Sequence, residues 1–316
     1  MKTKIIIAVL FSTLILGSFS GCQYLKKRVE KKEKTEYKLS STGKFRIEID
    51  NSNGNVDVLA SDDTLGVITI TAEKIGKVRI NETDKPIEGV NIIIDTTDEI
   101  IKIDTDYEKS FSVFGNKNSA SVNYTIKVPA TLKVVVNLTN GAITADGLKS
   151  DSRFESVNGP IYVSNCTGTL DIETVNGSVK ANIDSTKGLI AETVNGSITL
   201  GSLRNINANV EASCVNGKVK TENLNFSTLS SEKRSLSGKI GNGNNIIRLS
   251  TVNGSIKLDG NYISFNKKEH IYLDFNFEFD DNDEGVEIEI KHTDEQKGVG
   301  ITPKDTTKRA DSIKSK

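Results

Sequence analysis

Residues 152–200 read SRFESVNGPIYVSNCTGTLDIETVNGSVKANIDSTKGLIAETVNGSITL, and they contain one short motif three times. In each copy Val-Asn-Gly is followed by one residue and then by Ile or Val. CVNGKVK and TVNGSIKL repeat this motif further along the chain, and NSNGNVDV, LTNGAITA and SLSGKI are weaker copies. From Gly141 onward the repeat glycines are 18, 18, 19, 21, 21 and 16 residues apart. A period near twenty is too short for a pair of helices and predicts a β-solenoid. The glycines are Gly54, Gly141, Gly159, Gly177, Gly196, Gly217, Gly238 and Gly254.

Apolar residues alternate with polar ones on both sides of each repeat glycine. Around the second Asn-Gly of the quoted stretch, the positions seven and five residues before the glycine and two and four after it are Leu170, Ile172, Val179 and Ala181. The intervening residues are mostly charged, with Ile190 as the main exception, which is the pattern of strands with one buried face. We therefore predict an all-β fold, a parallel β-helix with coils of about 18–21 residues that turn at Asn-Gly.

The Asn-Gly pair suits a sharp turn, because glycine adopts positive φ without steric cost and asparagine tolerates the left-handed region. A stack of two-residue hairpins is the alternative, although the phase shared by the copies favours coils. In parallel coils the successive asparagines would lie one above another, about 4.8 Å apart, where their amides can hydrogen-bond along the stack. The predicted turn residues are Asn158, Gly159, Asn176, Gly177, Asn195, Gly196, Asn216, Gly217, Asn253 and Gly254.

Residues 1–21 have the order of a secretory signal peptide. Lys2 and Lys4 precede an apolar run, and the small-residue sequence SFSGC follows and ends at Cys22. This ending resembles the lipobox of bacterial lipoproteins, whose cysteine carries lipid such as palmitate and becomes the first mature residue. Phe19 departs from the usual Leu, and an ordinary signal peptide or an uncleaved anchor is the alternative.

Two polar segments flank the predicted fold. Residues 22–42 are dense in Lys and Glu without glycine or proline, and they predict a charged tether. This tether is either a plain spacer or a segment that lies on anionic lipid headgroups. Residues 293–316 are polar and lack aromatic side chains, which predicts a disordered tail.

The remaining chain divides into two β regions. Residues 43–131 contain strands without tight repetition and predict a less regular opening of the same structure. Residues 132–292 form the predicted regular solenoid together with a C-terminal hairpin cap. The cap strands are predicted from the alternating Ile271, Leu273, Phe275, Phe277 and Phe279, the acidic turn DDNDEG and the following VEIEI.

Charge and composition argue against a nucleic-acid binder and mildly against a carbohydrate enzyme. Residues 1–21 hold two of the 41 basic side chains, and their removal leaves 39 against 42 acidic ones. This nearly balanced charge gives the protein no positive electrostatic field that would attract nucleic acid. The chain has no tryptophan, and sugar-binding grooves generally use flat aromatic platforms.

The chain resembles the putative-adhesin family of bacterial envelope proteins, a family classed as a domain of unknown function. The residues that carry the resemblance are the copies TVNGSVKA, TVNGSITL and TVNGSIKL, the entry VPATLKVVVNLTNGAI and the earlier NSNGNVDV. The resemblance covers about residues 44–292. It implies a β-solenoid lipoprotein domain on the cell surface or in the envelope, and it brings no catalytic residues.

Candidate catalytic residues are few. His270 and His292 are the only histidines, and a lone histidine on a strand is more often a surface residue than a base or ligand. Cys166 and Cys214 differ in coil phase and are expected to lie two to three coils apart, beyond the reach of a disulfide. Cys214 takes the place of a threonine in other copies and is predicted to be a core residue. No cofactor is predicted.

Glu155, Glu173 and Glu192 each stand four residues before a repeat glycine, so stacked coils would line three carboxylates along one outer face. Carboxylates that close are unfavourable unless something neutralises them. Calcium could do so, and neighbouring lysines and water are the alternative. No metal is assigned on this basis. A second candidate for a cation, with a solvated turn as its alternative, consists of Asp280, Asp281, Asp283 and Glu284.

Two functions from different classes remain open. The favoured one is a non-enzymatic surface or envelope lipoprotein that presents a β-solenoid for adhesion, binding or scaffolding. Its partners would be a membrane, through the lipid anchor, and a surface polymer or envelope protein, and it would face the periplasm or the exterior. The alternative is a polysaccharide-active β-helix enzyme that uses carboxylates, calcium and a basic residue. An elongated groove with clustered Asp, Lys and Arg would favour the enzyme, and flat ladders of Thr, Ser, Lys and Glu would favour binding.

Overall fold

The computed structural model describes residues 9–11, 28–61, 66–79, 87, 89–96, 99–107 and 119–265. In chain order its strands are β1 (Val9–Phe11), β2 (Arg28–Ser40), β3 (Arg46–Asn53), β4 (Val56–Ser61), β5 (Val67–Arg79), β6 (Val90–Asp95), β7 (Ile100–Tyr107), β8 (Ser119–Pro129), β9 (Lys133–Asn140), β10 (Ile143–Asp146), β11 (Ser152–Asn158), β12 (Ile161–Ser164), β13 (Thr169–Asn176), β14 (Val179–Asn182), β15 (Gly188–Asn195), β16 (Ile198–Gly201), β17 (Ala208–Asn216), β18 (Val219–Glu222), β19 (Phe226–Ser231), β20 (Ser235–Ile240), β21 (Asn245–Asn253) and β22 (Ile256–Asp259). A 3₁₀ turn covers Leu203–Asn205.

Within these described ranges the strands form two sheets of eleven strands each. Sheet A has the spatial order β1-β2-β5-β8-β4-β10-β12-β14-β16-β22-β18. Sheet B has the order β19-β20-β17-β21-β15-β13-β11-β9-β3-β7-β6. The buried side chains of both sheets belong to one hydrophobic core.

Seven coils repeat the same unit of a sheet-B strand, an Asn-Gly corner and a short sheet-A strand. Neighbouring coils pair in parallel in both sheets, as Leu170 with Leu189 in sheet B and Val179 with Ile198 in sheet A. The predicted all-β parallel solenoid is confirmed, and the alternative of hairpins at these corners is wrong. In chain order the coils are coil 1 (46–61), coil 2 (133–146), coil 3 (152–164), coil 4 (169–182), coil 5 (188–201), coil 6 (208–222) and coil 7 (245–259).

The alternation of residue types places the apolar side chains inside. In coil 4, Leu170, Ile172, Val179 and Ala181 are fully buried between the two sheets. Fully burying one such aliphatic side chain contributes about 1.5–3 kcal/mol. One coil has only one apolar layer, so this stabilisation requires coils above and below.

The order of the coils in space differs from their order in the chain. The expected arrangement places Asn216 directly after Asn195, but Asn195 pairs with Asn253, and Asn253 pairs with Asn216. Coil 7 therefore lies between coil 5 and coil 6. The expectation was wrong because all three coils carry the same corner motif, which does not encode a level in the stack.

The weak repeat copy SLSGKI is not a coil corner. Gly238 lies inside β20, which pairs antiparallel with both β17 and β19. A Cβ atom at Gly238 would lie 2.6 Å from the Cδ1 atom of Phe226, so this glycine makes room for the Phe226 ring. Within the predicted parallel stack over 132–260, the chain between coils 6 and 7 therefore forms an antiparallel hairpin of β19 and β20 at the edge of sheet B.

The segment predicted as a tether also differs from the structure. β2 (Arg28–Ser40) is a full strand of sheet A that pairs antiparallel with β5 along its whole length. Alternate residues of β2 are less exposed, and Tyr37 and Leu39 pack against the core. The density of Lys and Glu conceals this period-two pattern, because the long charged side chains occupy both faces of the strand.

The N-terminal region extends the stack by one further level beyond coil 1. β7 pairs in parallel with β3 in sheet B, and β8 pairs in parallel with β4 in sheet A. Antiparallel strands then follow at both edges, β6 beside β7 and β5 beside β8. Residues 43–131 are therefore β structure with longer connections between strands.

Several predicted features lie outside the described residues. They are Cys22, most of the predicted signal peptide, the cap hairpin with His270, its acidic turn, and the tail of residues 293–316 together with His292.

Candidate functional site

A groove of about 550 Å³ runs along the outer face of sheet B. It crosses the strands β7, β3, β9, β11, β13, β15 and β21, so its axis follows the stack rather than any one strand. The side chains that border it recur at the spacing of the coils, about 4.8 Å. Within the described chain, this is an elongated surface built by stacking.

One wall of the groove is a row of carboxylates four residues before the corner glycines. The three predicted glutamates are brought together, because Glu155 pairs in register with Glu173 and Glu173 with Glu192. The row continues through Asn137 to Asp50 and then to Asp104. Beyond Glu192 the same position holds Ser250 and Ser213. Here this "acidic row" means Asp104, Asp50, Glu155, Glu173 and Glu192.

The other wall is a row of valines two residues before the corner glycines. These side chains share the outward direction of the acidic row and are exposed by 39–43% of their surface. Exposed aliphatic side chains in consecutive coils form a continuous apolar ridge rather than scattered contacts. Here this "valine ridge" means Val157, Val175, Val194 and Val252. Val215 continues it by one coil beyond the groove.

Arg153 neutralises part of the acidic row from the next row of side chains. Its guanidinium donates hydrogen bonds to Glu155, to Asp171 at 2.8 Å and to Glu173 at 3.1 Å. The neutralising group at these positions is therefore an arginine, whereas the sequence suggested calcium or else lysines and water. Partial burial and the carboxylates of Asp171, Glu155 and Glu192 raise the pKa of Glu173, and Arg153 opposes this effect.

At two places along the acidic row the carboxylates have no ion pair among the described residues. Glu192 has neither an ion pair nor a hydrogen bond to its carboxylate among the described residues. At the other end, Asp104 lies beside Asp50, and burial together with that carboxyl raises the pKa of Asp104 above its ordinary value. Asp50 accepts a hydrogen bond of 2.6 Å from the amide of Asn137. Carboxylates arranged this way favour a cationic group beside them.

A ladder of asparagine amides runs along the corner next to the groove. Each Nδ2 donates to the Oδ1 of the asparagine one level away, at 2.8–3.0 Å. The ladder joins seven levels and includes the inserted coil 7. Its order is Asn53, Asn140, Asn158, Asn176, Asn195, Asn253 and Asn216.

Most of the corner glycines are required by close stacking and not by left-handed backbone. Positive φ occurs at Gly54 (117°) and Gly141 (141°), whereas Gly177 and Gly196 are outside the left-handed region. A Cβ atom at Gly177 would lie 1.9 Å from the carbonyl oxygen of Gly159. The reason expected for glycine at the later corners was therefore wrong, and the neighbouring coil's backbone occupies the space of a side chain.

Threonine hydroxyls fasten the same corners from inside. Thr174 donates to the carbonyl oxygen of Gly159 at 3.1 Å, and Thr193 and Thr251 repeat this bond one and two levels further on. In coil 6 the equivalent residue is Cys214, whose side chain is buried. The corner is thus a unit in which Thr, Asn and Gly each contact the adjacent coil.

The family model of the Toastrack DUF4097 family matches residues 67–259, which is more than half of the chain. The chain belongs to this family. This confirms the resemblance to a putative-adhesin family of unknown function. No curated protein matches the chain significantly.

The solved structures that match the chain are distant from it in sequence. A putative cell adhesion protein from Clostridium sporogenes is 14% identical with a TM-score of 0.40, and the match covers 74% of this chain and 99% of that one. A putative adhesin from Bacteroides fragilis is 19% identical with a TM-score of 0.36, covering 75% and 100%. A putative lipid binding protein from Parabacteroides distasonis is 11% identical with a TM-score of 0.23, covering 73% and 95%.

The two described cysteines of this Toastrack chain are separate buried thiols. Cys166 and Cys214 are both free, as the difference in coil phase predicts. Burial raises the pKa of Cys166 to about 12, and its thiol donates to the carbonyl oxygen of Ser164 at 3.2 Å. Both positions have the character of core residues.

The repeat phase in the sequence predicts three members of the acidic row and does not predict the other residues of the groove. Asp50 could have been predicted in the same way, because it directly precedes the copy NSNGNVDV and stands four residues before Gly54. Asp104 carried no such signal, because β7 lacks an Asn-Gly corner. The valines of the ridge stand two residues after the glutamates of the acidic row, so the period-two alternation predicts that both lie on the outer face. A valine beside a turn is ordinarily assigned to the core, which hid this signal.

The described residues contain no group of three or more His, Cys, Asp or Glu side chains that could hold a metal ion. Their helical segments include none that is long and apolar enough to cross a bilayer.

Proposed function

We propose that this Toastrack chain is a non-enzymatic envelope protein that presents its solenoid outward for adhesion, binding or scaffolding. The observation that carries this proposal is the outer face of sheet B, where one pattern of side chains recurs from coil to coil beside a long groove. Repeated weak contacts to an extended partner add through multivalency. The names of the Clostridium and Bacteroides structures, which are putative adhesion proteins, agree with this role.

The proposed anchor is a lipid, such as palmitate, on Cys22. Its support is the signal-like order of residues 1–21 and the lipobox-like sequence that ends at Cys22. A Cys22→Ser variant should leave the membrane fraction and lose labelling by a fatty-acid probe. A wild-type chain that is fully soluble and unlabelled would refute the anchor while leaving the binding role open.

The binding role is tested by shortening the solenoid in phase. Deleting residues 159–176 removes one 18-residue repeat and joins Asn158 to Gly177, so the corner sequence is preserved. Because solenoid stability is a sum over neighbouring repeats, the shortened chain should still fold. Cells that display it should adhere less to a protein-coated or polymer-coated surface than cells that display the full chain at equal density.

The control for this deletion is a display strain with Glu211→Gln, which changes an exposed carboxylate outside the groove. Equal adhesion by the full and shortened chains, both folded by circular dichroism, would contradict a role for the repeated surface.

One observation keeps the enzymatic alternative as a second candidate. Two carboxylates of the groove, Glu155 and Glu173, contact Arg153, and a polysaccharide-active β-helix would require such a set of carboxylates and a basic residue. Arg153, however, is engaged with three carboxylates, and the residues that line the groove include no aromatic platform. Release of glycan fragments that is lost in Glu173→Gln would establish the enzyme and displace the binding proposal.

A further inference from the structure

The groove on sheet B has two walls of different chemistry at a fixed separation. In β11, β13 and β15 the valine and the carboxylate are two residues apart along the strand, about 6.6 Å at 3.3 Å per residue. A ligand that fits both walls needs an apolar stem several ångströms long that ends in a positive charge. Lysine has this form, because its aliphatic stem covers apolar surface while its ammonium group stays in water.

The charge of the groove selects the sign of the partner. Five carboxyl groups lie along the groove, and the basic group that contacts this row is Arg153, which pairs with Glu155 and Glu173. Glu192, Asp50 and Asp104 have no ion pair among the described residues, and Lys102 is the basic side chain that acts on Asp104 from a distance. An anionic polymer would be repelled here, and a second copy of this face would bring the acidic rows of two molecules together.

The length of the groove selects an extended partner. Seven strand levels span about 29 Å at 4.8 Å per level, which matches about nine residues of an extended peptide. A compact ligand would meet only two or three levels and lose the additive contacts.

We propose that the groove between the valine ridge and the acidic row binds an extended, lysine-rich polypeptide segment. Lysine stems pack across Val175 and Val194, and their ammonium groups reach Glu173 and Glu192. This proposal rests on the binding role given above and names its partner class.

The probe is a fluorescein-labelled peptide of about ten residues with alternating Lys and Ala, titrated with the full chain in fluorescence anisotropy. Peptides in which Glu or Ser replaces every Lys are the charge controls. We expect binding of the Lys peptide alone, with affinity that falls as NaCl rises from about 50 to 300 mM because salt screens exposed charges.

Paired variants test the two walls. The double variant Glu173→Gln with Glu192→Gln should weaken binding about fivefold, since two exposed ionic contacts are removed. The double variant Val175→Ser with Val194→Ser should weaken it as well, at every salt concentration. The matched controls, Glu211→Gln and Leu229→Ser, alter an exposed carboxylate and an exposed aliphatic side chain outside the groove and should bind like the wild type.

Four results would overturn the proposal. They are equal binding of the Lys and Glu peptides, no effect of the Gln double variant, the same loss in the controls, and calcium binding that blocks the peptide at these carboxylates. If the peptide fails while coil deletion still reduces adhesion, only the partner class is wrong. If the peptide binds while adhesion ignores coil deletion, the proposed function is wrong.

Discussion

Gly177→Ala should destabilise the solenoid although its backbone needs no left-handed conformation. The Cβ atom of the alanine would lie 1.9 Å from the carbonyl oxygen of Gly159 and 2.5 Å from its carbonyl carbon. Ordinary carbon–oxygen contacts are about 3.3 Å, so the two corners must separate by roughly 1.4 Å. The obstructing atoms are backbone, and they cannot rotate away as a side chain would.

This separation breaks the hydrogen bonds that join the two corners. Gly159 N donates to Asn176 O at 3.0 Å, and Ile161 N donates to Ser178 O at 2.9 Å. Stretching each by about 1 Å removes it, at about 1 kcal/mol per bond. Overpacking adds about 1–3 kcal/mol, so we expect the free energy of unfolding to fall by about 3–5 kcal/mol. For a domain of this size the melting temperature should fall by about 6–20 °C.

Thermal and urea unfolding followed by circular dichroism would measure this change, with two glycines as controls. A Cβ atom at Gly188 would be 3.6 Å from Thr169 Cγ2, an ordinary contact, so Gly188→Ala should be neutral or slightly stabilising. Gly43 has φ of 71° and no atom within 4 Å of its Cβ position. Gly43→Ala therefore isolates the conformational penalty, about 1 kcal/mol.

A Gly177→Ala variant that melts within about 2 °C of the wild type would show that close stacking does not require this glycine, since each kcal/mol shifts the midpoint by about 2–4 °C. The same conclusion follows if Gly43→Ala is the more damaging change, because backbone conformation rather than stacking would then decide the corners.

Three further predictions concern single side chains. Asn176→Asp should lower the melting temperature because a carboxylate cannot donate within the ladder, whereas Asn53→Asp should not, since Asn53 is the terminal acceptor. Asp104→Asn should raise the melting temperature at pH 7, because the pKa of Asp104 is raised above 3.8 beside Asp50. The folded state gains protons as pH falls through that raised pKa, so the advantage of Asn should shrink on acidification, as melting curves at pH 7 and pH 4 would show. Burial raises the pKa of Cys166 to about 12, so iodoacetamide at pH 8 should modify it only after denaturation, as mass spectrometry would show.

The sequence predicts the coil because its signals repeat in phase. Leu170 and Ile172 in one strand and Val179 and Ala181 in the next specify the inward face, and six other coils repeat this pattern. An irregular residue in one copy does not change the predicted inward face, because the other copies repeat the pattern. The acidic row follows from the same phase, and the positions of Glu155, Glu173 and Glu192 were predictable for that reason.

Features that occur once were not predictable in this way. β2 has no second copy against which its alternation can be compared, and its charged residues resemble a tether. The role of Gly177 depends on how closely two coils approach, which no residue pattern specifies. The bridging by Arg153 depends on which coil places a guanidinium beside the glutamates, and among the described residues coil 3 alone does so.

The position of coil 7 has a consequence for how the stack holds together. It bonds to both neighbours, with Gly196 N donating to Asn253 O and Gly254 N donating to Asn216 O, each at 3.1 Å. Truncation after residue 244 therefore removes the two interfaces that join coil 6 to coil 5 through coil 7, whereas the phased deletion of residues 159–176 lets the stack close again. Because solenoid stability is a sum over neighbouring interfaces, the truncated chain should lose far more in urea unfolding than the deleted one. Coil 6 and the β19–β20 hairpin should separate from coil 5 and unfold in an earlier transition. If the truncated chain unfolds in one transition at the midpoint of the deleted chain, coil 7 does not join these two parts.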